Sequence, residues 1–184
     1  MPAAKGRGKA KVLSSKKLFE GRVFGLRQDR VREPGGVVAI REIVTHHGSV
    51  VVLPVFPDGS MLLVRQFRYA AGDFLWELVA GHIEPGEPAL AGASRELAEE
   101  TGYTAKKIRK LIDFFPSPGL SSERMFVFLA TGLTRGVARP EEDERITVRR
   151  FSQRDIEAMI RRGALHDAKS LAGILYYLRF RGAR

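Results

Sequence analysis

The sequence predicts an α+β protein: a mixed sheet covered by helices, with extra antiparallel strands at the N-terminus. Three observations predict it. Short strand-like runs separated by turn residues recur along most of the chain, whereas only 88–101, 153–163 and 167–180 carry a helical pattern. The chain has 184 residues, 44% hydrophobic and 28% charged, which suits one globular domain with a real core and at most a small appendage. It contains no internal repeat and no long linker to suggest several domains.

The elements follow in order. MPAAKGRGKAKVLSSKK holds six Lys/Arg and no acid, over half of the net charge of +10. It lacks periodic apolar residues, so residues 1–18 are expected to form a basic flexible tail. Solubility is the simplest use of such a tail. Contact with nucleic acid or another polyanion is the functional alternative, weakened by the absence of aromatic residues for base stacking. FEGRVFGLRQDRVR (19–32) and GVVAIREIVTHH (36–47) read as strands around the PGG turn at 34–36, forming an N-terminal element over 19–47. The main domain then runs from 48 to 184. SVVVLPVF (49–56) and MLLVRQFRY (61–69) read as a hairpin across the Pro57-Asp58-Gly59-Ser60 turn. FLWELVAG (74–81), KIRKLIDFF (107–115), RMFVFLATGL (124–133) and ERITVRRFS (144–152) complete the strands.

Composition narrows the function classes. With no cysteine, disulfides and thiolate metal sites are excluded. The longest apolar runs, such as VVVLPVF, are far too short to span a bilayer, and no apolar signal stretch follows the basic start. A cytoplasmic protein without membrane contact is the expectation. The four histidines, His46, His47, His82 and His166, show no ligand spacing and are read as non-catalytic.

The informative stretch is GHIEPGEPALAGASRELAEETGY, residues 81–103. Pro88 fits the first position of a helix with Glu87 beside it as N-cap, and Gly102 fits the left-handed stop. Leu90, Ala93 and Leu97 recur at helical spacing and form the expected buried stripe. Glu96, Glu99 and Glu100 then share one side of the last turn, where they repel each other and the helix dipole is already negative. A solvated surface helix with an Arg95–Glu99 ion pair is one explanation. A site for a hard divalent cation is the other, because Mg²⁺ and Mn²⁺ prefer oxygen ligands.

Gly81, Glu87 and the run Arg95-Glu96-Leu97-Ala98-Glu99-Glu100-Thr101-Gly102-Tyr103 resemble a complete Nudix box, G-x5-E-x7-R-E-U-x-E-E-x-G-U. The one soft departure is aromatic Tyr103 at the final aliphatic position. The resemblance implies an α/β/α sandwich in which the box forms a loop, helix and loop. It also implies metal-dependent hydrolysis of a nucleoside diphosphate linked to another moiety. RQFRYAAGDFLWELVAGHIEPGE and SPGLSSE (117–123) resemble the ADP-ribose pyrophosphatase subfamily, as does the C-terminal part, so that the likeness covers roughly residues 37–178. Pro118 follows the box at a distance where a proline is typical of enzymes that cleave ADP-ribose.

Site residues follow from the resemblance. Glu96, Glu99, Glu100 and the backbone carbonyl of Ala80 are the implied ligands of two or three Mg²⁺ or Mn²⁺ ions, with Arg95 orienting the carboxylates. Arg68 is expected to clamp phosphate, or else to be a snorkelling edge-strand arginine. Arg41 matches an arginine that reaches the substrate from the partner subunit of a homodimer; simple solvent exposure is equally compatible. Trp76 is assigned to the substrate site or to the core. Ser117, Pro118 and Glu123 are assigned to the substrate through the SPGLSSE segment. For the general base the order is Glu142, in the EEDE loop at 141–144, then Glu144, then Glu99. The implied substrate is ADP-ribose or a related nucleoside diphosphate sugar. GDP-mannose or another sugar nucleotide, the 5′-end of RNA, and an inactive nucleotide-binding protein are the alternatives.

Overall fold

The computed structural model describes residues 8–138 and 145–180. The chain divides into two compact units: residues 1–47 with 117–123, and residues 48–116 with 124–184.

The first unit is a three-stranded antiparallel sheet, β1 (Lys11–Glu20), β2 (Gly25–Arg32) and β3 (Val38–Thr45), in the order β1-β2-β3. Residues 11–18, expected as tail, are strand instead. They belong to β1, which pairs with β2 from Lys11↔Arg32 to Glu20↔Gly25. All ten residues of β1 are exposed, so no apolar alternation is required and the backbone ladder carries the strand. The Ser15 hydroxyl adds a bond to the buried Asp29, which also pairs with Arg27. The single strand expected over 19–32 is broken by a turn in which the Gly21 amide donates to the Phe24 carbonyl at 2.9 Å. The PGG turn joins β2 to β3, with Gly35 and Gly36 at φ of 95° and 92°, conformations that side chains disfavour. Residues 117–123 join this unit by backbone bonds, Val44 N–H to the Leu120 carbonyl and Ser122 N–H to the Val44 carbonyl.

The second unit holds two sheets. One is β7 (Val79–His82), β4 (Ser49–Pro54), β9 (Met125–Arg135) and β8 (Tyr103–Phe114), in the order β7-β4-β9-β8. It is mixed, because β4 and β9 run parallel while the other pairs are antiparallel. The other is antiparallel: β10 (Thr147–Phe151), β5 (Met61–Arg68) and β6 (Asp73–Glu77), in the order β10-β5-β6. The α+β class with a mixed sheet and covering helices is therefore what the chain adopts.

β4 is buried at every position, which explains its unbroken apolar run. Its side chains alternate between two cores. Val50 and Val52 pack with Ala93 and Leu97 of α1 (Ala89–Thr101), whereas Val51 and Leu53 pack with Ile156 of α2 (Gln153–Arg161) and Ile174 of α3 (Ala168–Phe180). The expected β4–β5 hairpin is reduced to one bridge, Val55↔Met61, at the Pro-Asp-Gly turn. Beyond it the strands part, because β7 and β9 already occupy both edges of β4. FLWELVAG likewise serves two sheets: β6 ends at Glu77, β7 begins at Val79, and fully buried Leu78 is the crossover.

α1 starts one residue later than expected, with Pro88 as the N-cap residue. It stops at Gly102, whose φ of 72° is the left-handed conformation the sequence called for. Ala93 and Leu97 are buried as expected, but Leu90 is 51% exposed: the first turn lies outside the apolar stripe. No described helix is long and apolar enough to cross a membrane.

Candidate active site

β7 and α1 build the site within the second unit. β7 pairs with β4 at Val51↔Ala80 and Val50↔Gly81, fixing the backbone at the start of the box. Gly81 is there because of space. A Cβ on it would lie 2.0 Å from both Cδ and Oε1 of Glu96. The Glu96 carboxylate is thus seated directly on the β7 backbone, in a cradle that any side chain would fill.

Arg95 organises the negative charge around this cradle. Its Nε and Nη2 donate to Glu87 Oε1 and Oε2, both at 3.0 Å, while Nη1 donates to Glu96 Oε1 at 2.7 Å and Glu99 Oε2 at 3.0 Å. Nη2 also reaches the His82 carbonyl at 3.1 Å, so one guanidinium ties the box loop to the helix. The expected pair with Glu99 is one of several contacts. The bonds to Glu87, opposed by partial burial and reinforced by Glu96 and Glu99, raise the Arg95 pKa. The Arg95 bond in turn lowers the pKa of Glu87. Glu100 points inward and is 4% exposed, whereas the Glu99 side chain is 43% exposed.

Among the described residues, no three acidic or histidine side chains are gathered as a metal site. Arg95 stands between Glu87, Glu96 and Glu99. The donors nevertheless suit a hard divalent cation. They are carboxylate oxygens one helical turn apart, one of them seated on the backbone strand that carries the Ala80 carbonyl.

A second charged cluster surrounds the buried Glu77. Arg68, at the end of β5, donates from Nε and Nη2 to both oxygens of Glu77 at 2.8 and 2.7 Å. Glu77 is 1% exposed and also receives Lys169 Nζ. Burial alone would push the Glu77 carboxyl up, but the bonds and charges of Arg68 and Lys169 overcome it and hold the group below its ordinary value. The bond to Glu77 raises the Arg68 pKa, and the charge of Glu100 adds to the effect. Arg68 is therefore no simple snorkelling residue: it is anchored on a buried carboxylate. Glu77 and Lys169 escaped the sequence reading, although an acid inside the apolar run FLWELV is a sign of a buried pair.

The other expected residues are placed as follows. Trp76 packs on the core, edge to face with Phe151 at 4.8 Å. Arg41 pairs with Glu33 in the first unit. Ser117 and Pro118 are exposed there, and the Ser117 carbonyl accepts from the amides of Leu120 and Ser121. Glu123 lies 3.9 Å from His46 Nδ1. Glu142 and Glu144 lie outside the described residues.

Comparison with known proteins decides the family. Residues 45–173 match the NUDIX domain. The chain belongs to the Nudix family. Residues 11–44 of this Nudix hydrolase match the nucleoside diphosphate sugar hydrolase N-terminal domain, the segment that forms β1 to β3. It is 39% identical over 168 residues to the ADP-ribose pyrophosphatase of Mycobacterium tuberculosis, covering 89% of this chain and 81% of that one. It is 38% identical over 168 residues to the ADP-ribose pyrophosphatase of Bacillus subtilis, covering 90% and 91%. In fold it resembles a solved ADP compounds hydrolase with a TM-score of 0.82 at 21% identity, covering 98% of this chain and all of that one. Nudix hydrolases generally use divalent metal ions, which accords with the donor set on α1.

The Gly81 cradle yields a test. The atoms nearest to a methyl at Gly81 are the tip of the flexible Glu96 side chain, so Gly81→Ala should fold with nearly unchanged melting temperature while displacing Glu96. If Glu96 is a metal ligand of the site, a misplacement of about 1 Å costs roughly a hundredfold, and kcat/KM should fall by about that factor. Near-normal kcat/KM would show that the seat of Glu96 is immaterial.

Proposed function

We propose that this Nudix hydrolase cleaves the pyrophosphate of ADP-ribose or a closely related nucleoside diphosphate sugar, releasing AMP (or the matching nucleoside monophosphate) and a sugar phosphate. The observation that carries the reading is kinship with ADP-ribose pyrophosphatases over nearly the whole chain, N-terminal strands included.

In this reading Glu96, Glu99 and Glu100, with the Ala80 carbonyl, hold two or three Mg²⁺ or Mn²⁺ ions. When bound, such ions neutralise the pyrophosphate and lower the pKa of the attacking water. Arg95 keeps the box loop and helix in register and holds Glu96 and Glu99 in place through its Nη1. Arg68 meets a substrate phosphate with the guanidinium edge that Glu77 leaves uncovered. Trp76, Ser117, Pro118 and Glu123 contribute to substrate binding. Water adds across the P–O–P bridge: its oxygen bonds to one phosphorus, the bridging oxygen leaves with the other phosphoryl group, and the water proton passes to a carboxylate. Glu142 is the first choice for that base, followed by Glu144 and Glu99. At saturating metal, Glu142→Gln should lower kcat by about 10²–10⁴-fold with KM nearly intact. If Glu144→Gln or Glu99→Gln abolishes turnover while Glu142→Gln does not, the base is the residue whose loss does.

We also propose a homodimer formed through the first unit, with Arg41 reaching the partner's substrate. Supporting this, Val12, Leu18, Phe19, Val38 and Ile40 are exposed on a small sheet with its β1 edge open. Light scattering at micromolar concentration should give twice the chain mass; a fully active monomer would remove both ideas.

The substrate assignment is tested by scoring mononucleotide release from ADP-ribose, GDP-mannose, UDP-glucose, diadenosine polyphosphates and 5′-triphosphate RNA, with Mg²⁺ and with Mn²⁺. The highest kcat/KM is expected for ADP-ribose, with AMP as product, no turnover in excess chelator, and a loss of about a hundredfold or more in Glu100→Gln. A clear preference for GDP-mannose or RNA would overturn the assignment.

A further inference from the structure

Arg68 is one end of a partly buried chain of charges that starts just before α3 and passes through the buried Glu77. Asp167 precedes the helix and accepts the Ser170 amide at 3.0 Å, an N-cap bond, while its other oxygen accepts Lys169 Nζ at 2.9 Å. The Ser170 hydroxyl also donates to Asp167. Lys169, with a side chain 11% exposed, reaches on to the buried Glu77, which grips Arg68. Fully buried Ser170 accepts the Leu78 amide at 2.7 Å. That amide belongs to the crossover between the two sheets, immediately before the strand that carries Ala80 and Gly81.

We propose that Lys169 and Asp167 are positioning residues that set the substrate affinity through Arg68. Two physical arguments support it. The first concerns charge. Glu77 paired with Arg68 alone would cancel most of the field that Arg68 offers an anion. Lys169 shares Glu77 and so relieves part of that cancellation, while Asp167, itself negative, offsets part of the Lys169 charge and acts chiefly by holding Lys169 on Glu77. The second concerns order. Among the described residues, the Arg68 guanidinium donates to Glu77, which takes its Nε and Nη2 edge. A two-point grip fixes the guanidinium plane, so the remaining Nη1 edge meets its ligand with little entropy left to lose. The proposal rests on the reading of Arg68 as a phosphate contact.

A double-mutant cycle separates the two. Lys169→Gln removes the charge but keeps a donor for Glu77. Steady-state kinetics on ADP-ribose at saturating Mg²⁺ would be measured for the native chain, Lys169→Gln, Arg68→Ala and the double variant. Lys169→Gln should raise KM about tenfold with kcat within about threefold, yet raise it less than about twofold when Arg68 is already alanine. Equal increases in both backgrounds, or no increase in either, overturn the proposal while leaving Arg68 as a phosphate contact. A native KM in Arg68→Ala removes that contact and the proposal with it. Asp167→Asn, which keeps the shape of the cap, goes through the same cycle and decides the matter if Lys169→Gln does not fold; its KM effect should depend on Arg68 in the same way.

Discussion

Three glutamates on the last turn of a helix face two unfavourable terms, their mutual repulsion and the negative end of the helix dipole. The compensation of that charge shapes the surroundings of α1. Arg95 lies inside the cluster, bound to Glu87, Glu96 and Glu99 at once, and it draws the box loop onto the helix through the His82 carbonyl. One cation does not balance three carboxylates. The remaining negative charge is what would favour a hard divalent cation in the proposed site.

The fold holds this charge in place by sharing short segments between layers. β4 feeds two cores with alternate side chains, so α1 on one face and α3 on the other are referenced to the same six residues. Leu78 divides one run of sequence between two sheets, and the α3 residue Ser170 takes its amide. A short path of hydrogen bonds thereby connects the start of α3 to the strand on which Glu96 is seated. Arg68 and Glu77 are tied to the start of α3 as well, through Lys169 and Asp167.

Local rules made parts of this legible in the sequence. The left-handed stop at Gly102, the helices and the glutamate spacing each depend on neighbours a few residues away, and the structure contains them. What was hidden depends on partners far along the chain. β1 has no buried face, so its strand character lies in backbone pairing that leaves no apolar period. The parting of β4 from β5 is decided by β7 and β9, which claim the edges first. Glu77 and Lys169 stand 92 residues apart, and neither is interpretable alone. The close approach of Gly81 to Glu96 is intermediate: the box pattern requires a glycine, but only the packing of β7 on α1 shows why.

The α1 carboxylates, with Glu96 seated against β7, are proposed to form a divalent-cation site. Binding of Mn²⁺ to the substrate-free chain, followed by loss of the free-ion electron paramagnetic resonance signal, tests it without turnover. The native chain should deplete the signal, and Glu96→Gln should bind at least about tenfold more weakly, as expected when a charged oxygen ligand is lost. Equal binding by the two chains, or none by the native one, would show that Glu96 and its neighbours do not form a cation site.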